Sequence, residues 1–376
     1  MSLVVNIAKD DLLSALAFIQ NITTKPGTLA ILSNILIETK NDNVELTGTD
    51  LEVGVKQIVP AEILSAGSIT LPSKKLFEIV RESNDDHIHL EVQDNNWVKI
   101  VAGASNYNVA GMASEDFPTF PEYVEENLII LPAEDIKDII DKTIFSVASD
   151  TESTFTLTGL LVEKEENEES HSLRMVSSDG HRLSLMKKNT EKDISSFQID
   201  TKTIIPRKGA QEIKKLCEKT EIVSIGFEKK QAVLKSDNTT VIIRLMSGDF
   251  PDFRSLLDVI DMDKFIEIDR NLLLNSMKRM NLFAEEKFNI VKWHMENNIL
   301  TLTSQSMDIG NAQESIPIEY SDESMALGFN GRYFVDTLQV MTSEKVKIFL
   351  AGPGKPCLLK SEKEPDFISV IMPMEL

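Results

Sequence analysis

Three short runs hold residue types that catalysis or ligand binding uses. His87-Ile88-His89 sets two imidazoles on one face of a strand, beside Asp85 and Asp86. A zinc site needs three or four protein ligands, and no third stands near, so the run reads as a solvated strand. Ser178-Asp179-Gly180-His181-Arg182 holds the letters of a hydrolase triad. Such triads are recognised by geometry and role rather than adjacency, and Asp179-Gly180 is more simply a turn. Ala351-Gly352-Pro353-Gly354-Lys355 ends like a phosphate loop, but Phe349 stands where the spacing demands glycine. The chain is therefore expected to be no enzyme, with no catalytic residue, metal site or cofactor.

The elements that carry these runs repeat. Residues 46–54 read LTGTDLEVG and residues 302–310 read LTSQSMDIG, 256 positions apart. Between them lies MVSSDGHRLS, with Asp179 placed 129 residues after Asp50. Pro118-Thr119-Phe120, Pro251-Asp252-Phe253 and Pro365-Asp366-Phe367 form a second series. The helical runs from Ser73, Pro206 and Asn330 form a third. Self-similarity at a fixed period decides the architecture before any local reading does. Helical periodicity predicts helices at about 8–20, 73–83, 134–147, 206–219, 269–281 and 330–341. Ile35 and Ile37, a turn at Asn41-Asp42-Asn43, then Val44 and Leu46 read as a hairpin. Val291, Trp293 and Met295, with a turn at Glu296-Asn297-Asn298, repeat it. The fold class is thus α+β: three tandem repeats, each of two βαβββ halves. Expected domains are 1–126, 127–262 and 263–376.

The 376 residues suit two or three domains. Cys217 and Cys357 are too few for a disulfide framework; the start lacks a signal peptide's pattern, and no uninterrupted apolar stretch approaches a membrane span's length. The net charge of −21 argues against nucleic acid if taken alone. Its distribution matters more: the six predicted helices sum to +3, leaving −24 on strands and loops, as in Glu163–Glu169. The last residues, Phe367–Leu376, stay apolar to the end, where chains usually fray. Met374 and Leu376 run on past Pro373, and methionine suits a surface that accepts varied partners.

Nine stretches together resemble the β sliding clamp family of the bacterial replicative DNA polymerase (DNA polymerase III beta subunit). They are LAILSNILIET, LTGTDLEVG, GSITLPSKKLFEIVR, EDFPTFP, SSDGHRLSL, GDFPDFRSLL, EEKFNIVKW, FNGRYFVDTL and VIMPMEL, and they span the chain. The resemblance implies a homodimer whose two three-domain chains join head to tail in a six-domain ring. Helices would line the hole around double-stranded DNA, held without sequence preference. The polymerase catalytic subunit, clamp loader and repair polymerases would bind through short motifs, keeping a polymerase on its template. The setting would be the bacterial cytoplasm, at the nucleoid, with no membrane. The rival reading is a repeated-domain scaffold with no DNA role.

Residue by residue, the resemblance implies a groove for partner peptides at Leu157, Thr158, Gly159, Ser178, Gly180, His181, Arg182, Leu183, Pro251, Leu256, Asn330, Tyr333, Val370, Met372, Pro373, Met374 and Leu376. Lys74, Lys75, Arg207, Lys208, Lys214, Lys215, Lys278 and Arg279 are candidates to face DNA on helices, and Lys25 and Phe155 on loops. Leu282 and Phe283 of one chain would meet Tyr107 of the other. The sequence departs from the family's pattern at Glu375, Ser255, Thr156 and Ala30. Of these, Glu375 reverses a frequent positive charge at the groove's edge.

Overall fold

The repeat written in the sequence is eight strands long. In the computed structural model, residues 3–23, 29–149, 155–166, 170–260, 262–285 and 289–375 are described, Phe155 by its backbone alone. Repeat 1 runs β1 (Val4–Ala8), α1 (Lys9–Thr23), β2 (Asn34–Lys40), β3 (Asn43–Thr49), β4 (Val53–Ser65), β5 (Ser68–Pro72), α2 (Ser73–Glu82), β6 (His87–Val92), β7 (Trp97–Ala102) and β8 (Ser105–Ala110). Repeat 2 runs β9 (Ile129–Pro132), α3 (Ala133–Asp141), β10 (Gly159–Glu166), β11 (His171–Ser178), β12 (Arg182–Thr190), β13 (Ile204–Pro206), α4 (Arg207–Cys217), β14 (Ile222–Glu228), β15 (Gln231–Ser236) and β16 (Thr239–Arg244). A short α5 (Arg254–Asp258) follows. Repeat 3 runs β17 (Phe265–Asp269), α6 (Arg270–Asn281), β18 (Ile290–Glu296), β19 (Ile299–Ser306), β20 (Gly310–Pro317), β21 (Met325–Asn330), α7 (Gly331–Val340), β22 (Lys345–Leu350), β23 (Cys357–Lys360) and β24 (Phe367–Ile371).

Each half is βαβββ, as the pattern predicts, but the first strands are exchanged. β1 pairs with β6, and β5 with β2. The same holds for β9 with β14, β13 with β10, β17 with β22 and β21 with β18. One rung of facing residues on adjacent strands fixes the register of all three repeats. It reads Met112–Thr70–Leu36–Thr47–Lys56 in repeat 1 and Met246–Ile204–Leu161–Val176–Leu185 in repeat 2. In repeat 3 it reads Met374–Gly328–Lys292–Thr303–Gln313.

By contacts the chain forms two compact units. The first is Met1–Glu134, Ser196–Gln198 and Gln211–Leu245; the second is Asp135–Ser195, Ile199–Ala210 and Met246–Leu376. The central repeat gives one sheet to each. In the first unit β4 pairs with β16, so one sheet crosses from repeat 1 into repeat 2. In the second unit β12 pairs with β24, crossing from repeat 2 into repeat 3.

Burial explains the helices. In α1 the apolar positions Leu12, Leu16 and Ile19 recur every three to four residues and are fully buried. α1 lies so close on β3 that a Cβ on Gly48 would stand 2.2 Å from Ile19. In repeat 3 the rings of Trp293, Phe329 and Phe334 stack within 4.7–5.4 Å of one another, between centroids. α3 ends at Asp141 rather than near 147. There the Thr143 hydroxyl donates to Ile139 O at 2.6 Å, and a single 3-10 turn, Ile144–Ser146, follows.

The hairpin motif encodes a turn. Asp50 Oδ1 accepts the N–H groups of Glu52 and Val53, and Asp179 Oδ1 accepts those of His181 and Arg182. The next residue takes a left-handed backbone in both, φ 75° at Leu51 and 88° at Gly180. The Pro-x-Phe series holds only twice. Pro118 and Pro251 follow the bridging methionines Met112 and Met246, whereas Pro365 precedes Met374 and lies in the turn just before β24. The third match is a coincidence of letters. Among the described residues no helix is long and apolar enough to cross a membrane.

Candidate functional site

The last residues of the chain are held rather than frayed. Met372 N donates to His181 O at 2.9 Å, and Met374 N donates to Gly328 O at 2.8 Å. The tail thus bridges the β11–β12 turn of repeat 2 and the edge strand β21 of repeat 3. In repeats 1 and 2 the chain continues from this position as a linker; here only two residues follow Met374. The apolar end noted in the sequence is thus the stretch that in repeats 1 and 2 leads into a linker. Met372, Pro373 and Met374 stay half-buried, with Glu375 exposed at the rim.

Beneath the tail lies a core of Leu161, Val176, Leu183, Leu185, Ile204, Phe253, Ile260, Phe349, Leu358 and Val370, drawn from repeats 2 and 3 and the segment joining them. Leu183 and Val370 are 2% and 1% exposed, so they form a floor rather than an open wall. Leu157 is also buried, and Gly159 fits only as glycine, because a Cβ would stand 2.6 Å from Ile205 O. Pro251 is exposed and Leu256 half-buried on the joining segment. There the Arg254 guanidinium lies 4.6 Å from the Phe253 ring and 2.6 Å from Glu163. Asn330 caps α7, its Oδ1 accepting Arg332 N at 3.0 Å. The candidate groove residues that are described all belong to one compact unit. Leu376 lies outside the described residues.

Arg182 organises this site. Its Nε donates to Asp179 Oδ2 at 2.9 Å, Nη1 to Asp336 Oδ2 at 2.6 Å and Nη2 to Phe145 O at 2.7 Å. Its guanidinium lies 4.4 Å from the Tyr333 ring. Four elements meet on one nine-tenths-buried cation, and a planar fork suits that role better than an ammonium. Beside it a cavity of about 470 Å³ is lined by Phe145, Val147, Ala148, His181, Arg207, Tyr333 and Asp336, among others. A second tie joins the same repeats. Lys142 and Glu364, each 7% exposed by side chain, stand 2.8 Å apart. Burial pushes the Glu364 carboxyl up, but Lys142 and the N–H groups of Ser343 and Thr342 outweigh it and hold its pKa at about 2.

Sequence reasoning missed Asp336, Phe145 and the Lys142–Glu364 pair. One signal was present. Glu78, Glu212 and Asp336 occupy the same position of the second helix in each repeat, counted from Thr70, Ile204 and Gly328 of the shared rung.

The candidate DNA-facing cations stand on α2, α4 and α6. Lys74, Arg207 and Lys278 are exposed, while Lys208 and Lys214 are half-buried. Three others are occupied by carboxylates of their own chain: Lys75 by Glu78 at 2.7 Å, Lys215 by Glu212 at 2.6 Å and Arg279 by Glu314 at 2.6 Å. The Arg279 hydrogen bond holds the Glu314 carboxyl below its usual range. Lys25 and the Phe155 side chain lie outside the described residues. In repeat 1, Tyr107 lines a shallow cavity with Pro72, Ile79, Trp97 and Val109, among others. Leu282 is 71% exposed, and Phe283 stands 3.9 Å from where a Cβ on Gly310 would lie. His89 bonds Asn6 across 2.7 Å, and no cluster able to hold a metal occurs among the described residues.

Known proteins resemble this arrangement along its whole length. Residues 3–121, 130–252 and 260–375 match the models for the N-terminal, central and C-terminal domains of the DNA polymerase III beta subunit. The beta sliding clamp of Pseudomonas putida is 30% identical, covering 98% of this chain and 99% of its own. That of Chlamydia muridarum is 28% identical, with 98% of both chains covered. The C. crescentus beta sliding clamp, crystallised with PEG, superposes at a TM-score of 0.92 with 28% identity, over 100% of this chain and 99% of its own. The Bartonella birtlesii DnaN sliding clamp, bound to griselimycin, gives a TM-score of 0.92 with 25% identity over 100% of both chains.

Proposed function

Because the chain belongs to the DNA polymerase III beta-subunit family, the beta sliding clamps, we propose that it is a DNA sliding clamp: a non-catalytic subunit that encircles duplex DNA as a homodimeric ring and tethers its polymerase. The observation that carries this reading is the strand-pairing rule. The fourth strand of one repeat pairs with the last strand of the next, β4 with β16 and β12 with β24. Applied once more, the rule asks β20 to pair with a β8 that lies beyond it in order. Among the described residues both β20 and β8 keep an unpaired edge, and an open edge is a template for another chain. A second copy placed head to tail satisfies both edges and closes the ring.

The register follows. Lys56 faces Thr240 and Leu185 faces Ile368, each six residues before a bridging methionine. Gln313 holds the same rung as Lys56 and Leu185, so it would face the partner's Asn106, and Asn311 the partner's Asn108. Domain boundaries at 126/127 and 262/263 fit this scheme.

Encirclement needs no tight grip on phosphates, only cations that slide over them. That suits helices with a small positive sum, three of whose candidate cations are occupied in cis. The groove beside Arg182 is apolar at Met372, Pro373, Met374 and Leu256, with a packed floor. It suits a short peptide with apolar anchors, which supply most of the affinity in such sites. The polymerase, clamp loader and repair polymerases are the partners proposed, in a bacterial cytoplasm. The test of closure is a cross-link. Asn108→Cys with Asn311→Cys should give a disulfide-linked dimer on mild oxidation, and neither single variant should. Monomer only, with both thiols accessible, would contradict the ring.

A further inference from the structure

We infer that the joint between two copies of this chain is held by neutral contacts: an amide ladder on the strands and an apolar plug beside it, with the charges at the clasp positions paired within their own chain. This rests on the ring proposed above and concerns what holds it shut.

The internal joint of repeats 2 and 3 is clasped by ion pairs, Arg182 with Asp336 and Lys142 with Glu364. At the free ends the equivalent positions carry no clasp. Along the shared rung, Gly310 takes the place of Arg182. Glu78 takes the place of Asp336 and is held by Lys75 on its own helix. Counted from the first residue of α3 and α6, Arg279 takes the place of Lys142. It is turned onto Glu314 by two hydrogen bonds of 2.6 and 2.9 Å.

The strands themselves are nearly free of charge. β8 reads SNYNVA and has none; β20 reads GNAQESIP and has only Glu314, already satisfied by Arg279 and Ser276. In the register derived above, Gln313 meets Asn106 and Asn311 meets Asn108, so amides donate to and accept from amides. Large apolar side chains gather at the same two ends. Met307 and Ile309, in the turn before β20, are 101% and 64% exposed, and Leu282 is 71% exposed. Facing them in the closed ring is the cavity of Pro72, Ile79, Tyr107 and the half-exposed Trp97, which the Lys75–Glu78 pair and Glu82, bonded to Arg81, also line. Burial of the apolar side chains would supply the joint's affinity.

Ion pairs weaken with salt, whereas apolar contacts do not. The test is subunit exchange between donor- and acceptor-labelled dimers, followed by energy transfer. Raising salt from about 50 mM to about 1 M, where screening shortens from ~14 to ~3 Å, should leave the exchange rate within about threefold, or slow it. Acceleration by about tenfold or more would overturn the inference. The paired variant Asn106→Lys with Gln313→Glu puts an ion pair on the ladder, and its exchange should accelerate with salt. Asn108→Lys with Asn311→Glu repeats the test at a second rung. If both charged pairs exchange as salt-independently as the parent, the proposed ladder is wrong. If no dimer forms at any salt, the ring reading falls with it; a dimer whose exchange is salt-driven sinks this inference alone.

Discussion

Replacing Glu364 with glutamine tests the tie between repeats 2 and 3 that underlies the groove. The carboxyl's pKa lies at about 2 in the fold, against 4.5 for the free side chain. At 1.36 kcal/mol per unit the difference corresponds to about 3 kcal/mol at neutral pH. Lys142 keeps a second partner in Asp138 at 3.2 Å, so the loss is set lower, at about 2–3 kcal/mol. The folded pKa is depressed, so this contribution is complete above the unfolded value near 4.5. It drains away as pH falls toward about 2. The gap between parent and Glu364→Gln should therefore be full at pH 7 and less than half as large near pH 3. Urea unfolding followed at Trp293, buried in repeat 3, measures it in a Trp97→Phe background. A gap under about 0.5 kcal/mol at pH 7, the scale of an exposed pair, or one unchanged down to pH 3, would refute the reasoning.

Three further outcomes are expected. Met374→Ala, or removal of the last five residues, should weaken a partner peptide by about tenfold, the effect of losing one buried anchor of about 1.4 kcal/mol. The dimer should remain; equal peptide affinity in parent and truncation, by fluorescence anisotropy, would refute it. Arg182→Lys should also weaken the peptide, because an ammonium cannot serve Asp179, Asp336 and Phe145 O together. Dimer exchange should be unaffected, and an unchanged peptide affinity would mean the clasp does not shape the groove. Gly180→Val should destabilise the β11–β12 turn by about 1 kcal/mol or more, since φ is 88° there. The measure is the thermal midpoint, and no shift would mean the turn relaxes freely.

Much of the fold was legible because the repeat is written in turns and helices. Asp50 and Asp179 bond the backbone two and three residues on, so their spacing survives where the rest of the sequence drifts. The exchange of β1 and β5 between halves was not legible. β9 and β13 have only four and three residues, too few for a pattern that names a partner. Pro365-Asp366-Phe367 matched by letters but not by place, since three residues cannot tell a linker from the start of a strand. The tail was legible as an apolar end that should have been polar. The Arg182 clasp was not, because Asp336 lies 154 residues away. Lys75, Lys215 and Arg279 were visible as helix cations, but the carboxylates that occupy them are a matter of side-chain reach.

The central claim is topological, and one measurement addresses it directly. Labelled protein is loaded on nicked circular plasmid with a clamp loader and ATP, then freed of unbound protein, and the plasmid is linearised. The account predicts that the protein stays with the circle and leaves once an end is cut. Equal retention on circle and line, with a loader that is active on this chain, would mean that the protein holds DNA by contact and not by encirclement.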